Sequence, residues 1–97
     1  MKTTDPVQFA KALSDETRQK IMELICCKWI SVNEIVEQTN VSQPTVSHHL
    51  GILRESNLVD GREMGKQTFY KLNQKRVSFC CDQIIAKFST EKAINDE

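Results

Sequence analysis

Residues 42–54 read Ser42-Gln43-Pro44-Thr45-Val46-Ser47-His48-His49-Leu50-Gly51-Ile52-Leu53-Arg54, and the reading of this stretch decides the fold. Val46, Leu50 and Leu53 recur at helical spacing and form one apolar stripe. The opposite face carries Gln43, Thr45, Ser47, His48 and Arg54. Short or planar hydrogen-bonding groups of this kind reach base edges and phosphates. An ordinary surface helix more often carries Glu and Lys there. The target expected for this helix is the DNA major groove.

Working outward, Ser42 is placed to cap the helix, and Pro44 falls in its first turn, where a missing N–H costs nothing. Thr39-Asn40-Val41 reads as a tight turn after a helix over 32–39, which Ser31 caps with Glu34 three residues on, the capping-box spacing. Asp15 caps a second helix, roughly 16–28, with Ile21, Leu24 and Ile25 facing inward; residues 29–31 interrupt the pattern. Asp5-Pro6 opens a first helix that runs to about Ser14. Beyond Ser56-Asn57 the period changes. Leu58–Glu63 and Gln67–Leu72 read as strands around Met64-Gly65-Lys66, a hairpin whose tip offers Arg62, Lys66 and Gln67 to the phosphate backbone. From about Lys75 to Phe88, Val77, Cys80, Cys81, Ile84, Ile85 and Phe88 make a broad apolar helical face; the polar tail Ser89–Glu97 is expected to fray.

The predicted fold is therefore mainly α with a small β-hairpin wing, a winged helix-turn-helix in the order ααααββα. The helix-turn-helix spans about 32–56, the wing about 58–72, and the outer helices about 5–14 and 75–88. An αα-hairpin inside a small bundle would explain residues 32–54 alone. The hairpin that follows and the unusual outer face favour DNA binding.

The composition sets bounds on this reading. At 97 residues the chain is expected to be one domain, with a core thin enough to make a shared dimer interface plausible. No apolar run approaches the ~20 residues of a membrane span, and no signal-peptide pattern is present, so the expected location is the cytoplasm. Thirteen basic and thirteen acidic residues leave a net charge of zero, without the basic excess that often marks nucleic-acid binders. Binding must then depend on where the charges sit, and a winged helix that contacts proteins and does not read DNA is the competing class. An enzyme is not expected: no nucleophile–base pair, metal-activating cluster or phosphate-cradling loop can be identified.

Ala12-Leu13-Ser14-Asp15-Glu16-Thr17-Arg18 followed by an apolar helix resembles the opening of the ArsR/SmtB family of winged-helix repressors. So do Val41–Leu50, Leu53-Arg54-Glu55-Ser56-Asn57-Leu58-Val59, and Gly65-Lys66-Gln67 leading to Tyr70-Lys71-Leu72, in register over about residues 8–72. Glu16 departs from the pattern by standing where the family usually has proline. The resemblance implies a homodimer formed mostly by the first and last helices. It also implies repression at a roughly palindromic operator, with residues 42–56 in the major groove and the wing beside it. Gln43, Ser47 and His48 would touch DNA, with Thr45 nearby. His49, three residues after Val46 and four before Leu53, reads as partly buried scaffold, and a metal site at His48-His49 is disfavoured because neighbouring helical residues point about 100° apart.

The resemblance further implies release from DNA by a metal ion, a metalloid or a reactive sulfur species. Cys26-Cys27 and Cys80-Cys81 are the candidates, in the second and last helices. Buried hydrophobic filler is the ordinary role of such residues, but two adjacent pairs in a short chain favour sensing. The family's soft-metal site at the third helix would need cysteines near Ser31 and Asn33, and its zinc site meets Gln74, Arg76, Lys87 and Thr90 here. Neither is expected. Persulfide sensors of the family place one cysteine in each of the same two helices, a likeness of elements but not of positions. Trivalent arsenic takes three thiolates, two from one pair and one from the other; cadmium or lead would use all four. Adjacent cysteines within a helix are poorly placed to bond each other, so a disulfide is expected between the second and last helices or between subunits. No cofactor is expected to be required, and a regulator with no metal or redox response is the simpler alternative.

Overall fold

The computed structural model describes residues 5–89. Its elements are α1 (Pro6–Leu13), α2 (Glu16–Leu24), β1 (Ile30–Ser31), α3 (Val32–Thr39), α4 (Gln43–Glu55), β2 (Val59–Met64), β3 (Gln67–Leu72) and α5 (Gln74–Lys87). The tail expected to fray lies outside the described residues beyond Ser89.

Side-chain caps fix where the helices begin. Asp5 accepts from the Gln8 N–H at 2.8 Å, Asp15 from Arg18 at 3.0 Å, Ser31 from Glu34 at 3.1 Å and Ser42 from Thr45 at 3.4 Å. Each satisfies one of the orphan donors of a first turn. Asn73, accepting from the Arg76 N–H at 3.0 Å, caps α5. The capping box expected at α3 is only half closed, because the Glu34 carboxylate accepts from Gln38 one turn on, at 2.9 Å. Between α3 and α4 the chain reverses through Asn40 in the left-handed region, at φ 56°. Asparagine tolerates that region better than other side chains.

Ile21, Ile25, Ile35, Val46, Leu53 and Leu58 are fully buried and form one core with Phe9, Leu50 and Cys80. That core joins α1 to α4, the start of β2 and α5.

Two expectations are corrected. The second helix ends at Leu24 and does not run to 28. Residues 29–31 are more than an interruption, since Ile30–Ser31 form a third strand that pairs antiparallel with β3. The sheet order is β1-β3-β2, with Ile30 opposite Tyr70 and Arg62 opposite Phe69. Both corrections have one cause. The Leu72 N–H donates to the Ile25 carbonyl at 2.8 Å. That bond turns the chain out of the helix and lays it along β3.

The hairpin turns at Gly65, at φ +66°. Gly61 has a different reason, since a Cβ there would come within 3.1 Å of the Tyr70 ring. On the far side of the molecule, α1 and α5 leave an apolar groove of about 470 Å³ lined by Val7, Ala10, Ile84 and Phe88. Val7, Ile85 and Phe88 are 64%, 65% and 76% exposed.

Candidate nucleic-acid interface

Helix α4 divides as its periodicity requires. Val46, His49, Leu50 and Leu53 are buried, while Gln43, Thr45, Ser47, His48 and Arg54 are exposed. His49 is thus scaffold, and its environment pushes its pKa below the ordinary histidine value. Burial is the main cause; the Asp15 carboxylate opposes it, and Arg18 and His48 add to it.

The structure brings Gln43 and Ser47 of α4 together with Lys66 and Gln67 of the wing. All four line one cleft of about 250 Å³ between helix and hairpin, with Asn33, Thr68 and Tyr70 completing the wall. Gln43 and Ser47, four residues apart, stack on the same helix face. The cleft therefore carries amide, hydroxyl and ammonium groups, the donors and acceptors that read base edges and hold phosphates. Sequence reasoning missed Asn33, Thr68 and Tyr70. The only sequence signal for them is that Asn33 lies in the first turn of α3 and that Thr68 and Tyr70 alternate along β3.

The other predicted residues sit elsewhere. Thr45 accepts a hydrogen bond from the Ser42 hydroxyl at 2.9 Å and belongs to the cap of α4. His48 is exposed beside Ser47. The Arg54 guanidinium lies over Gly61, 3.6 Å from where a Cβ would stand, so it faces the base of the wing. Arg62 is not at the wing tip: it is opposite Phe69 in the sheet, and its guanidinium stacks on the Trp29 ring, 4.7 Å from the centroid. A guanidinium over an indole face is attracted by the ring quadrupole.

Cys26 and Cys27 lie in the loop after α2, not in the helix, and their sulfur atoms are bonded to each other as a vicinal disulfide. This overturns the expectation that adjacent cysteines would not pair. The expectation held for helical Cβ directions, and the helix has already ended. The Gln74 side-chain amide faces the Cys27 sulfur at 4.0 Å. In α5, Cys80 is buried in the core and Cys81 is exposed. Burial pushes the Cys80 thiol pKa up, with Cys81 adding to this and Arg76 opposing it. Among the described residues, no group of three or more His, Cys, Asp or Glu side chains comes together to hold a metal ion.

The profile of the family described as bacterial regulatory protein, arsR family, matches residues 15–60. The transcriptional repressor SdpR of Bacillus subtilis is 38% identical over 63 residues, covering 65% of this chain and 70% of that protein. An arsenical resistance operon repressor of Staphylococcus xylosus is 35% identical over 69 residues, covering 71% and 66%. Among solved structures, the transcriptional repressor BigR of Xylella fastidiosa superposes with a TM-score of 0.67 at 32% identity, covering 86% of this chain and 85% of that one. The homodimeric winged helix-turn-helix DNA-binding domain of Mb0332 from Mycobacterium bovis gives 0.68 at 25% identity, covering 84% and 77%. With this architecture and these relatives, the chain belongs to the ArsR family of winged helix-turn-helix transcriptional repressors.

Proposed function

We propose that this chain is a cytoplasmic homodimeric repressor that reads an operator through α4 and the wing and leaves it when its thiols are ligated or oxidised. The observation that carries the DNA half is the convergence of Gln43, Ser47, Lys66 and Gln67 on one polar cleft. The homodimeric state of the Mb0332 domain and the apolar groove between α1 and α5 support the dimer. In the dimer each α4 would enter one major groove, with Lys66 on the phosphates.

For release, the vicinal pair Cys26-Cys27 supports the reading best, because two sulfurs close enough to bond each other are also close enough to share one soft ion. Trivalent arsenic, cadmium or lead would bind the reduced pair. Among the described residues no third ligand stands beside the pair, so Cys80 or Cys81 of α5 would supply one only after a rearrangement, or a thiol of the second subunit would do so. Alternatively a reactive sulfur species oxidises the two thiols to the disulfide, taking up their two electrons while two protons leave. No cofactor is needed for DNA binding itself.

A shift assay on the protein's own promoter tests both halves. Replacing Gln43 and Ser47 together with Ala is expected to lower operator affinity by about tenfold or more, since good base contacts are worth about 1–3 kcal/mol each. Intact affinity and specificity in that variant would sink the DNA half. Arsenite, cadmium and polysulfide are tested against the native chain and against Cys26→Ser/Cys80→Ser. Binding unchanged under all three reagents would end the sensing half. Zero net charge favours a second reading, a winged helix that contacts protein. Binding almost independent of salt would support it, because phosphate contacts release counterions.

A further inference from the structure

We propose that Arg18 and His49 are positioning residues for operator binding, which lock α4 to the carbonyl end of α1 and so set how the reading face is presented. The proposal rests on the operator-binding reading above. Its basis is one guanidinium that bonds in three directions. Arg18 Nε donates to the Ala12 carbonyl at 2.8 Å and Nη2 to the Lys11 carbonyl at 3.1 Å. Both carbonyls lie in the last turn of α1, where the usual i+4 donors run out; that of Lys11 also accepts from the Ser14 N–H at 3.2 Å and the Ser14 hydroxyl at 2.7 Å. Nη1 meets His49 Nδ1 at 3.1 Å.

A guanidinium has no acceptor, so His49 Nδ1 must accept. That fixes the imidazole as the neutral tautomer with its proton on Nε2, which faces the Asp15 carboxylate at 3.7 Å. Asp15 is in turn held as the cap of α2 by the Arg18 N–H. His49 is buried, while its neighbour His48 and Ser47 belong to the exposed face. A rotation or lift of α4 must therefore break the contact to Arg18, and a shift of α1 is passed to α4 through the same side chain.

The joint closes only while His49 is neutral. The charged and titratable groups around it are Arg18 and Asp15 from α2 and His48 on its own helix, ring centroids 5.5 Å apart; α1 contributes carbonyl dipoles through Arg18. A second proton on His49 removes the acceptor and sets a cation against Arg18, with only partial relief from Asp15. Loss of operator affinity in acid follows. His48 is the chain's other histidine and lies on the exposed face, so the measurement is made in a His48→Gln parent that keeps His49 as its single histidine.

Anisotropy of a labelled promoter duplex is followed from about pH 7.5 down to about pH 4.5, because burial holds His49 below the ordinary histidine range and its charging falls in the acid half of that window. Circular dichroism at each pH checks that the chain stays folded. The parent is expected to lose affinity by about fivefold or more, a size common for coupled sites. Adding His49→Asn, which keeps an acceptor near Nδ1 but cannot be protonated, is expected to flatten the profile. Arg18→Lys keeps the charge but not the three-way geometry, and is expected to weaken binding at about pH 7.5 while sedimentation shows an unchanged assembly. An unflattened profile with His49→Asn, or native-like affinity with Arg18→Lys, overturns the proposal. Independently of DNA and of any variant, nitrogen NMR of the native chain near neutral pH is expected to show the Nε2–H tautomer of His49; the Nδ1–H tautomer would overturn the joint. A native chain that does not bind the duplex at any pH would instead sink the operator reading on which the proposal stands.

Discussion

Gly65 and Gly61 lack a side chain for two different reasons, and substitutions separate them. Gly65 sits at positive φ, and a methyl group added there would meet nothing within 4 Å, so its constraint is purely conformational. Gly65→Ala is expected to cost about 1 kcal/mol, the penalty of holding an L-residue in the left-handed region. Gly61 has an ordinary backbone, but an added side chain meets Tyr70 and then Arg54. Gly61→Val is expected to cost about 1–3 kcal/mol by overpacking, and Tyr70→Ala in the same chain should recover part of that loss. Additive losses in thermal or urea unfolding would refute the steric explanation.

At the scale of elements, capping chemistry was the most legible part of the sequence. Asp5, Asp15, Ser31 and Ser42 each start the helix they were expected to start, because an N-cap acts on the N–H two or three residues on and needs no distant partner. Ser42→Ala is accordingly expected to destabilise the chain by about 1 kcal/mol, with α4 the first segment to gain amide exchange. Uniform exchange across the helices would contradict it. Strand β1 and the end of α2 were not legible, since both are set by β3, some forty residues on, through Leu72 and Tyr70. The same distance effect hid part of the candidate site. Gln43 and Ser47 could be read from the period of α4, whereas Asn33, Thr68 and Tyr70 join them only because the sheet folds back over α3. From the sequence Arg62 reads as a wing-tip residue, because nothing in its own strand indicates Trp29.

For the whole molecule, the balance of charge and the balance of apolar surface point to different parts of the function. Zero net charge offers no long-range attraction to DNA, so affinity has to come from two correctly spaced reading helices more than from a basic surface. The apolar groove between α1 and α5 is where such spacing would be set. Phe88→Glu, at a side chain 76% exposed, is expected to leave the fold intact. It would place a charge in a desolvated interface, shift the chain toward monomer in sedimentation velocity, and weaken operator binding by about tenfold or more. An intact dimer in that variant would move the interface away from this groove.

The stacking of Arg62 on Trp29 has an optical consequence. Trp29 is the only tryptophan of the chain. It stands two residues after the Cys26–Cys27 pair and against a side chain of the wing. Its emission should therefore shift both when the wing closes on a duplex and when the pair is reduced or ligated. Arg62→Ala would remove the first signal and spare the second, so the protein carries an intrinsic fluorophore that reports its two proposed states without a label.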